Sequence, residues 1–190
     1  QERGIAEPDV LKTDGTHVYY ATRQSRPRRP TAPADETAVV SAASPSDPVT
    51  VADVQDTGHL LLTGDTLIVI EDDELVGLDV RDPADPVETW SHPLDDAVVT
   101  ARLVDGDLYL VTRSAVSLDE PCPIEPLGGD AKIACTDVYH PRRQAAVDAT
   151  YSTLSIDPAS GDVQDTASFV GTRDDTAVYV SENALYVTYT

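Results

Sequence analysis

The chain has 190 residues, and its 34 aspartates and glutamates outnumber 13 lysines and arginines to give a formal net charge of −21. This sign disfavours binding to nucleic acid or to an anionic membrane, and every apolar run is far shorter than the roughly 20 residues that cross a bilayer. The carboxylate excess is typical of halophilic proteins. About 1 M salt shortens the Debye length to about 3 Å, whereas in low salt the same surface should push the fold apart.

Short apolar stretches with turn residues at both ends fill the chain and predict an all-β fold. Four of them share one form, a tight polar turn followed by an alternating apolar strand: "DGTHVYYATR" at 14–23, "TGDTLIVIED" at 63–72, "DGDLYLVTRS" at 105–114 and "SENALYVTYT" at 181–190. The turn glycines Gly15, Gly64 and Gly106 are 49 and 42 residues apart. A repeat of this length indicates one structural unit per period.

A second signature, which contains proline, follows three of these turns: "VSAASPSDPVT" at 40–50, "LDVRDPADPVE" at 78–88 and "LSIDPASGDVQ" at 154–164. Proline fixes φ and withholds a donor, and aspartate can bond the local backbone. We therefore interpret these segments as turns between two strands of one unit rather than as sites. Four strands in about 40 to 45 residues is the size of a propeller blade.

The repeats predict a β-propeller of four-stranded antiparallel blades, with about three and a half blades present as a partial ring in one domain, residues 1–190. The predicted blade units are 10–57, 58–100, 101–173 with a loop insertion at 117–148, and 174–190 as the start of a further blade. A β-sandwich would give similar strands but not this phased pair of turn signatures. Since propellers typically close with about 4 to 8 blades, we expect the remaining blades, or another protein chain, to pair with the C-terminal strand.

The two cysteines, Cys122 and Cys135, flank a segment of the insertion that is rich in proline and glycine. Neither lies in a CxxC motif or near a histidine at metal-ligand spacing, so the sequence favours a short-loop disulfide. Such a bond would imply an oxidising, extracytoplasmic compartment. Two free buried thiols are the alternative.

The segment "RQSRPRRP" at 23–30 is the basic exception in this acidic chain. Arg23, Arg26, Arg28 and Arg29 could contact an anionic partner, such as a surface protein or an acidic glycan, because arginine binds carboxylates bidentately. A proline-stiffened loop between two strands of the first blade is the alternative, and it is favoured.

Adjacent carboxylates are candidate oxygen ligands for Ca²⁺ or Mg²⁺ in "EDDE" at 71–74, at Asp95 with Asp96, and at Asp174 with Asp175. None has the DxDxDG spacing of a dedicated calcium loop. In so acidic a chain such pairs arise by composition, so we interpret them as solvated turn residues and predict no metal site.

No catalytic constellation stands out. His17, His59, His92 and His140 form no pair at zinc-ligand spacing, and the sequence has no GxSxG elbow and no phosphate-binding GxxxxGK[ST] loop. Residues 12–15, "KTDG", are explained by a hairpin turn better than by a ligand-facing cluster. The sequence therefore predicts no catalytic residue, no enzyme activity and no cofactor within this chain.

The opening "QERGIAEPDVLKTDGTHVYYAT" resembles the entry signature of secreted proteins with a C-terminal beta-propeller domain distantly related to WD repeats. The matching positions are Gln1, Gly4, Glu7, Asp9, Leu11, Lys12, Thr13, Asp14, Gly15, Tyr19 and Tyr20. The segments "CTDVYHP" at 135–141 and "YSTLSIDPASGDV" at 151–163 are similar to haloarchaeal members. The resemblance implies the fold and export, and it carries no catalytic residue.

These observations predict an extracellular or cell-surface, non-catalytic propeller module of a halophile that binds or scaffolds partners. Two alternatives remain open. One is an extracytoplasmic propeller enzyme, a hydrolase or lyase, with its site completed by blades outside this chain. The other is a structural subunit of a surface layer or filament, assembled by strand pairing between chains.

Overall fold

The structure, a computed structural model, describes residues 5–22, 35–44, 46–117, 119, 122–142, 147–173, 176–181 and 184–189. A single-turn 3₁₀ helix spans Cys135–Asp137. The strands in chain order are β1 Ile5–Ala6, β2 Leu11–Thr13, β3 His17–Thr22, β4 Glu36–Ser41, β5 Val49–Val54, β6 His59–Thr63, β7 Thr66–Ile70, β8 Glu74–Asp79, β9 Val87–Pro93, β10 Ala97–Val104, β11 Asp107–Ala115, β12 Pro126–Gly129, β13 Val138–Tyr139, β14 Ala149–Ile156, β15 Val163–Gly171, β16 Thr176–Val180 and β17 Leu185–Tyr189. Among the described residues, no helix has the length and apolar composition that a membrane crossing requires.

Tight turns with positive φ angles connect the antiparallel strands. Between β10 and β11 both turn residues, Asp105 and Gly106, have positive φ, 52° and 99°. Two such residues form the type I′ turn, whose twist matches that of the flanking strands. Thr63 and Thr66 face each other across the corresponding turn between β6 and β7. The repeated Asp and Gly pairs of the sequence are therefore hairpin turns.

Two sheets are each made of four consecutive strands. Their strand orders are β2-β3-β4-β5 and β6-β7-β8-β9, and the resolved pairings within them are antiparallel. The predicted all-β fold with four-stranded antiparallel sheets is confirmed. The exact division into blade units stays a prediction.

The third sheet has six strands rather than the predicted four, in the order β1-β10-β11-β14-β15-β13. β1 adds to one edge, where Ile5 pairs with Val104, and β13 of the insertion adds in parallel to the other, where Val138 pairs with Ser168. Covering a sheet edge removes a template for unwanted pairing. The insertion therefore covers part of the β15 edge of this sheet instead of forming only a loop.

The strands β16 and β17 pair with each other as a hairpin. Tyr179 and Tyr186 face each other across it, with ring centroids 6.1 Å apart. Both rings are about half exposed, at 52% and 55%. Within the described part of the chain this is a two-stranded sheet.

The chain divides into two compact units. One comprises Pro8–Ser91 with Pro158–Ser160, and the other comprises Gln1–Glu7, His92–Asp157 and Gly161–Thr190. In the first unit the core joins the first and second sheets through buried apolar side chains, each of which stabilises the fold by roughly 1.5–3 kcal/mol when fully buried. These side chains are Tyr19, Ala21, Val39, Leu60, Leu67, Val69, Val76, Leu78 and Val80.

In the second unit, one face of the third sheet carries an apolar cluster. Val111, Ala149 and Tyr151 pack there with Ile5 and Val104. The Tyr151 ring also stacks on that of Phe169, with centroids 5.3 Å apart, a contact worth about 0.5–1.5 kcal/mol beyond its buried area.

Trp90 of β9 is a core residue of the first unit, as the sequence favours. Its ring is only 9% exposed, and its Nε1 donates a hydrogen bond to the carbonyl oxygen of Pro158 at 2.8 Å. Gly77 on the neighbouring strand β8 lies against the ring, and a Cβ at this position would overlap ring atoms of Trp90. The absence of a side chain at residue 77 therefore makes room for the indole.

We expect Gly77→Ala to lower the free energy of unfolding of the full chain by about 1–3 kcal/mol, because it overpacks the indole site. Gly129→Ala is the matched control, since a Cβ there meets no atom within 4 Å and should change stability by less than about 0.5 kcal/mol. Urea unfolding followed by tryptophan fluorescence measures both. Equal effects of the two substitutions would contradict this packing.

Candidate functional site

The predicted turn at residues 12–15 is held by its aspartate. Asp14 Oδ1 accepts the backbone N–H groups of Thr16 and His17, each at 2.7 Å, and its Oδ2 accepts the hydroxyl of the buried Tyr19 at 3.3 Å. Burial alone would raise the pKa of Asp14, but the hydrogen bonds outweigh it and hold that pKa well below its ordinary value. Burial, with the adjacent charge of Asp14, raises the pKa of Tyr19 to about 12. The turn thus links the hairpin to the core through the bond between Asp14 and Tyr19.

The insertion is closed by a disulfide between Cys122 and Cys135, whose Cα atoms are 5.5 Å apart. Within the loop, Ile124 and Ile133 exchange two backbone hydrogen bonds, each 2.9 Å long. Ile133 is buried, as are Leu127 and Ala131 of the same loop. The disulfide therefore closes a loop that has its own backbone bridge and three buried apolar residues.

A small cavity of about 160 Å³ lies beside this disulfide-closed loop. Its walls include Glu125 of the loop, Ser114 of β11, Thr150 of β14, and Asp96. Burial raises the pKa of Asp96, a bond from Ser114 opposes the rise, and the charge of Asp95 adds to it. The two carboxylates of this candidate pair therefore lie in different environments. Asp95 is exposed, whereas Asp96 is partly buried.

In the segment "EDDE" at 71–74, residues 71–73 form the turn between β7 and β8, and Glu74 begins β8. Glu71 Oε1 accepts the N–H of Thr57 at 2.6 Å, whereas Asp72 and Asp73 are exposed. Burial raises the pKa of Glu71, and the charge of Asp56 adds to the rise. Among the described residues, no group of three or more Asp, Glu, His and Cys side chains is arranged to hold a metal ion.

The histidines lie apart from one another in sequence and in their contacts. His92 Nδ1 is 2.9 Å from Asp130 Oδ2, and its Nε2 is 2.7 Å from the carbonyl oxygen of Gly161. His17 contacts Asp14 in the turn described above, while His59 and His140 are exposed.

Two sets of sequence-predicted residues lie outside the part that the structure describes. They are the arginines of the predicted anion contact, Arg23, Arg26, Arg28 and Arg29, and the pair Asp174 and Asp175. The predicted contact of the arginines with an anionic partner stays a prediction.

A concave surface of the first unit, which we call the acidic groove, has a volume of about 480 Å³. It runs along residues 52–56, the end of β5 and its continuation, and along the turn before β9. Its apolar lining consists of Ala52, Val54, Leu78, Ala84 and Pro86. Its polar lining consists of Asp53, Gln55, Asp56, Asp85 and Glu88.

Among the described residues that line the acidic groove there is no lysine or arginine, so none of these residues neutralises its carboxylates. Burial raises the pKa of Asp56, and the charges of Glu88 and Glu74 raise it further. The carboxyl group thus ionises less readily in the fold than in water. A cation entering the groove would favour the ionised form of Asp56 and so oppose both effects.

Sequence reasoning did not find the acidic groove, because its two walls are about thirty residues apart in the chain. One signal was present. The proline signature at 78–88, interpreted as a turn between strands, contributes Asp85 and Pro86 to the wall. A turn can therefore be structural and still present charged side chains to a binding surface.

Comparison with known proteins places the whole chain in one family. The sequence model described as "Beta propeller domain" matches residues 1–190. An uncharacterized protein of Archaeoglobus fulgidus is 38% identical over 197 residues, which are 100% of this chain and 31% of that protein. An uncharacterized protein of Methanocaldococcus jannaschii, MJ1554, is 30% identical over 193 residues, 100% of this chain and 28% of that protein. The chain spans less than a third of the length of these relatives, and no solved structure matches it.

We expect Asp56→Asn to raise the melting temperature at pH 7. The pKa of Asp56 in the fold is above its ordinary value of 3.8, so the folded state binds the proton more tightly than the unfolded chain and ionisation costs stability. This cost is complete above the raised pKa and disappears below the ordinary one, so the gain should shrink as the pH falls toward 3.8. Calorimetry between pH 4 and 8 measures it.

Asp165→Asn is the control for that substitution, because it removes one negative charge from an exposed position outside the groove. It should give a smaller gain at pH 7. A gain from Asp56→Asn that equals the control, or that grows as the pH falls, would contradict the account of the groove electrostatics.

We expect the double substitution Cys122→Ala with Cys135→Ala to lower the free energy of unfolding by about 3 kcal/mol, the loop-closure contribution of a disulfide of this size. The two cysteines are 13 residues apart. Dithiothreitol should destabilise the wild-type chain by a similar amount and leave the double variant unchanged. A wild-type chain that is insensitive to dithiothreitol would contradict a stabilising disulfide.

Proposed function

The chain belongs to the beta propeller domain family, and on that premise we propose that it is a non-catalytic binding module which works at the cell surface and holds a cationic partner in its acidic groove. The observation that carries the proposal is the groove itself, whose described lining combines the apolar side chains of Leu78 and Val54 with four carboxylates and contains no lysine or arginine. Concave sites with an apolar lining and a few placed polar groups are the usual form of binding sites.

Electrostatics selects the sign of the partner. Asp53, Asp85 and Glu88 are exposed at the mouth of the groove, and they lie in a chain with net charge −21. Such a field attracts positive groups and raises the association rate with a cationic surface. Arginine and lysine side chains of a protein segment are the groups that pair with carboxylates.

The location outside the cytoplasm is supported by the disulfide between Cys122 and Cys135. Disulfides persist in oxidising compartments and are rare in reducing ones. Export to the cell surface of a halophile also agrees with the acidic composition, because a dense carboxylate surface is best tolerated at high ionic strength.

A scaffold role is favoured by a separate observation, the two-stranded hairpin β16–β17. Its strands carry the half-exposed rings of Tyr179 and Tyr186. A hairpin of two strands is marginal alone. We expect further strands, from the rest of the propeller or from another chain, to pair with it.

Binding of fluorescent hexa-arginine to the full chain, measured by anisotropy in low and high salt, tests the proposed function. Wild-type protein should bind hexa-arginine but not hexa-glutamate, and the affinity should fall as salt rises. Asp53→Asn with Glu88→Gln removes two groove charges and should weaken binding roughly fivefold, since each exposed ion pair contributes about 0.5 kcal/mol.

The matched control is Asp137→Asn with Asp165→Asn, which removes two exposed charges outside the groove. It reproduces the loss of net charge and should leave the affinity nearly unchanged. Equal losses in the two double variants would show that the peptide binds the general field of the molecule rather than the groove, and the proposed function would be wrong.

A further inference from the structure

We infer that the acidic groove receives its partner as an extended segment, which pairs with the outer edge of β5 as an added strand and sets its basic side chains against the groove carboxylates. This inference rests on the proposed function and specifies the partner, a segment of another protein in which basic and apolar residues alternate.

The lining of the groove shows that it follows a strand edge. Side chains of a strand alternate between its two faces, yet the last three residues of β5, 52–54, all line the groove, as do residues 55 and 56 that follow the strand. A cavity that reached only one face of β5 would contact every second residue. The groove therefore exposes the edge of the strand, with its backbone N–H and C=O groups, along its last residues.

That edge has no partner strand among the described residues. β5 is the last strand of the first sheet, and β4 is the strand that pairs with it. A bulge lies at the start of the groove, because the register shifts between Val39 and Val40. From Ala52 to Val54 the pairing with β4 is regular, so the outward backbone groups of this stretch keep strand geometry.

The charges on the edge decide which strand can be added. Exposed edge strands invite pairing with other chains, and charged side chains limit it. The charged residues that line the groove in the described part of the chain are all negative: Asp53, Asp56, Asp85 and Glu88. A second copy of the same edge would bring like charges together and be repelled, whereas a strand carrying arginine or lysine would be attracted.

The two faces of β5 favour different side chains on an added strand. Ala52 and Val54 lie on one face and contribute to the apolar core, while Asp53 lies on the opposite face and is exposed. An added strand would continue both faces. Its apolar residues would extend the face of Val54, and its basic residues would extend the face of Asp53, as in other cases of strand addition.

The experiment compares four peptides of identical charge binding to the full chain: Arg-Val-Arg-Val-Arg-Val, the same peptide N-methylated at its arginines, at its valines, or at all six residues. Alternate N–H groups of an extended strand point to opposite edges. A peptide methylated on one edge can still pair through the other, and a peptide methylated at every residue cannot pair at all.

We expect the fully methylated peptide to bind at least about tenfold more weakly than the parent, because it loses several backbone hydrogen bonds of about 1 kcal/mol each. At least one of the singly methylated isomers should keep the affinity of the parent. Asp53→Asn with Glu88→Gln should weaken the parent peptide, and Asp137→Asn with Asp165→Asn should not.

Equal affinities of the parent and fully methylated peptides would overturn strand addition while the binding of hexa-arginine left the proposed function intact. Failure of every cationic peptide to bind would overturn both. A dimer of the chain in sedimentation that the peptide dissociates would also overturn the inference, because a second copy would then occupy the groove.

Discussion

Repulsion between like-charged carboxylates constrains where this fold can place its acidic side chains. A chain with a net charge of −21 can fold only if its acidic side chains lie where water, hydrogen-bond donors or cations reach them. Many of them are in turns. Asp14 accepts two backbone N–H groups in its turn, and Asp79 forms an ion pair with Arg81 beside the turn before β9. In such places the charge supports local structure.

In the acidic groove the carboxylates are less well stabilised by hydrogen-bond donors and cations. Asp56 is partly buried and faces the charges of Glu88 and Glu74, and its pKa is raised. Glu71 nearby is in a similar position, despite its bond from Thr57. An added cation stabilises the ionised form of carboxyl groups whose pKa is raised by burial and by neighbouring negative charges. In the proposed function, the same residues that cost stability in the isolated chain would contribute to the affinity for a positively charged partner.

Much of the fold is local enough to be predicted from sequence. The repeated Asp and Gly turns predict hairpins because glycine, and less often aspartate, adopts the positive φ that such turns require. The bond between Cys122 and Cys135 agrees with the spacing and the setting of the two cysteines in the sequence. The extra strands β1 and β13 have two residues each, too few for any periodic pattern, and only tertiary pairing defines them. The groove is harder still, because residues 52–56 and 84–88 meet only after the first and second sheets pack on a common core.

The central claim is that the edge of β5 in the acidic groove is a binding surface for an extended cationic segment. Amide hydrogen exchange of the full chain, with and without saturating Arg-Val-Arg-Val-Arg-Val, tests it most directly, because pairing slows exchange at the amides that become hydrogen-bonded. The account predicts slowed exchange concentrated in residues 52–56, with little change in β14 and β15 of the third sheet. Slowed exchange spread over both units, or none in residues 52–56 when the peptide is bound, would contradict it.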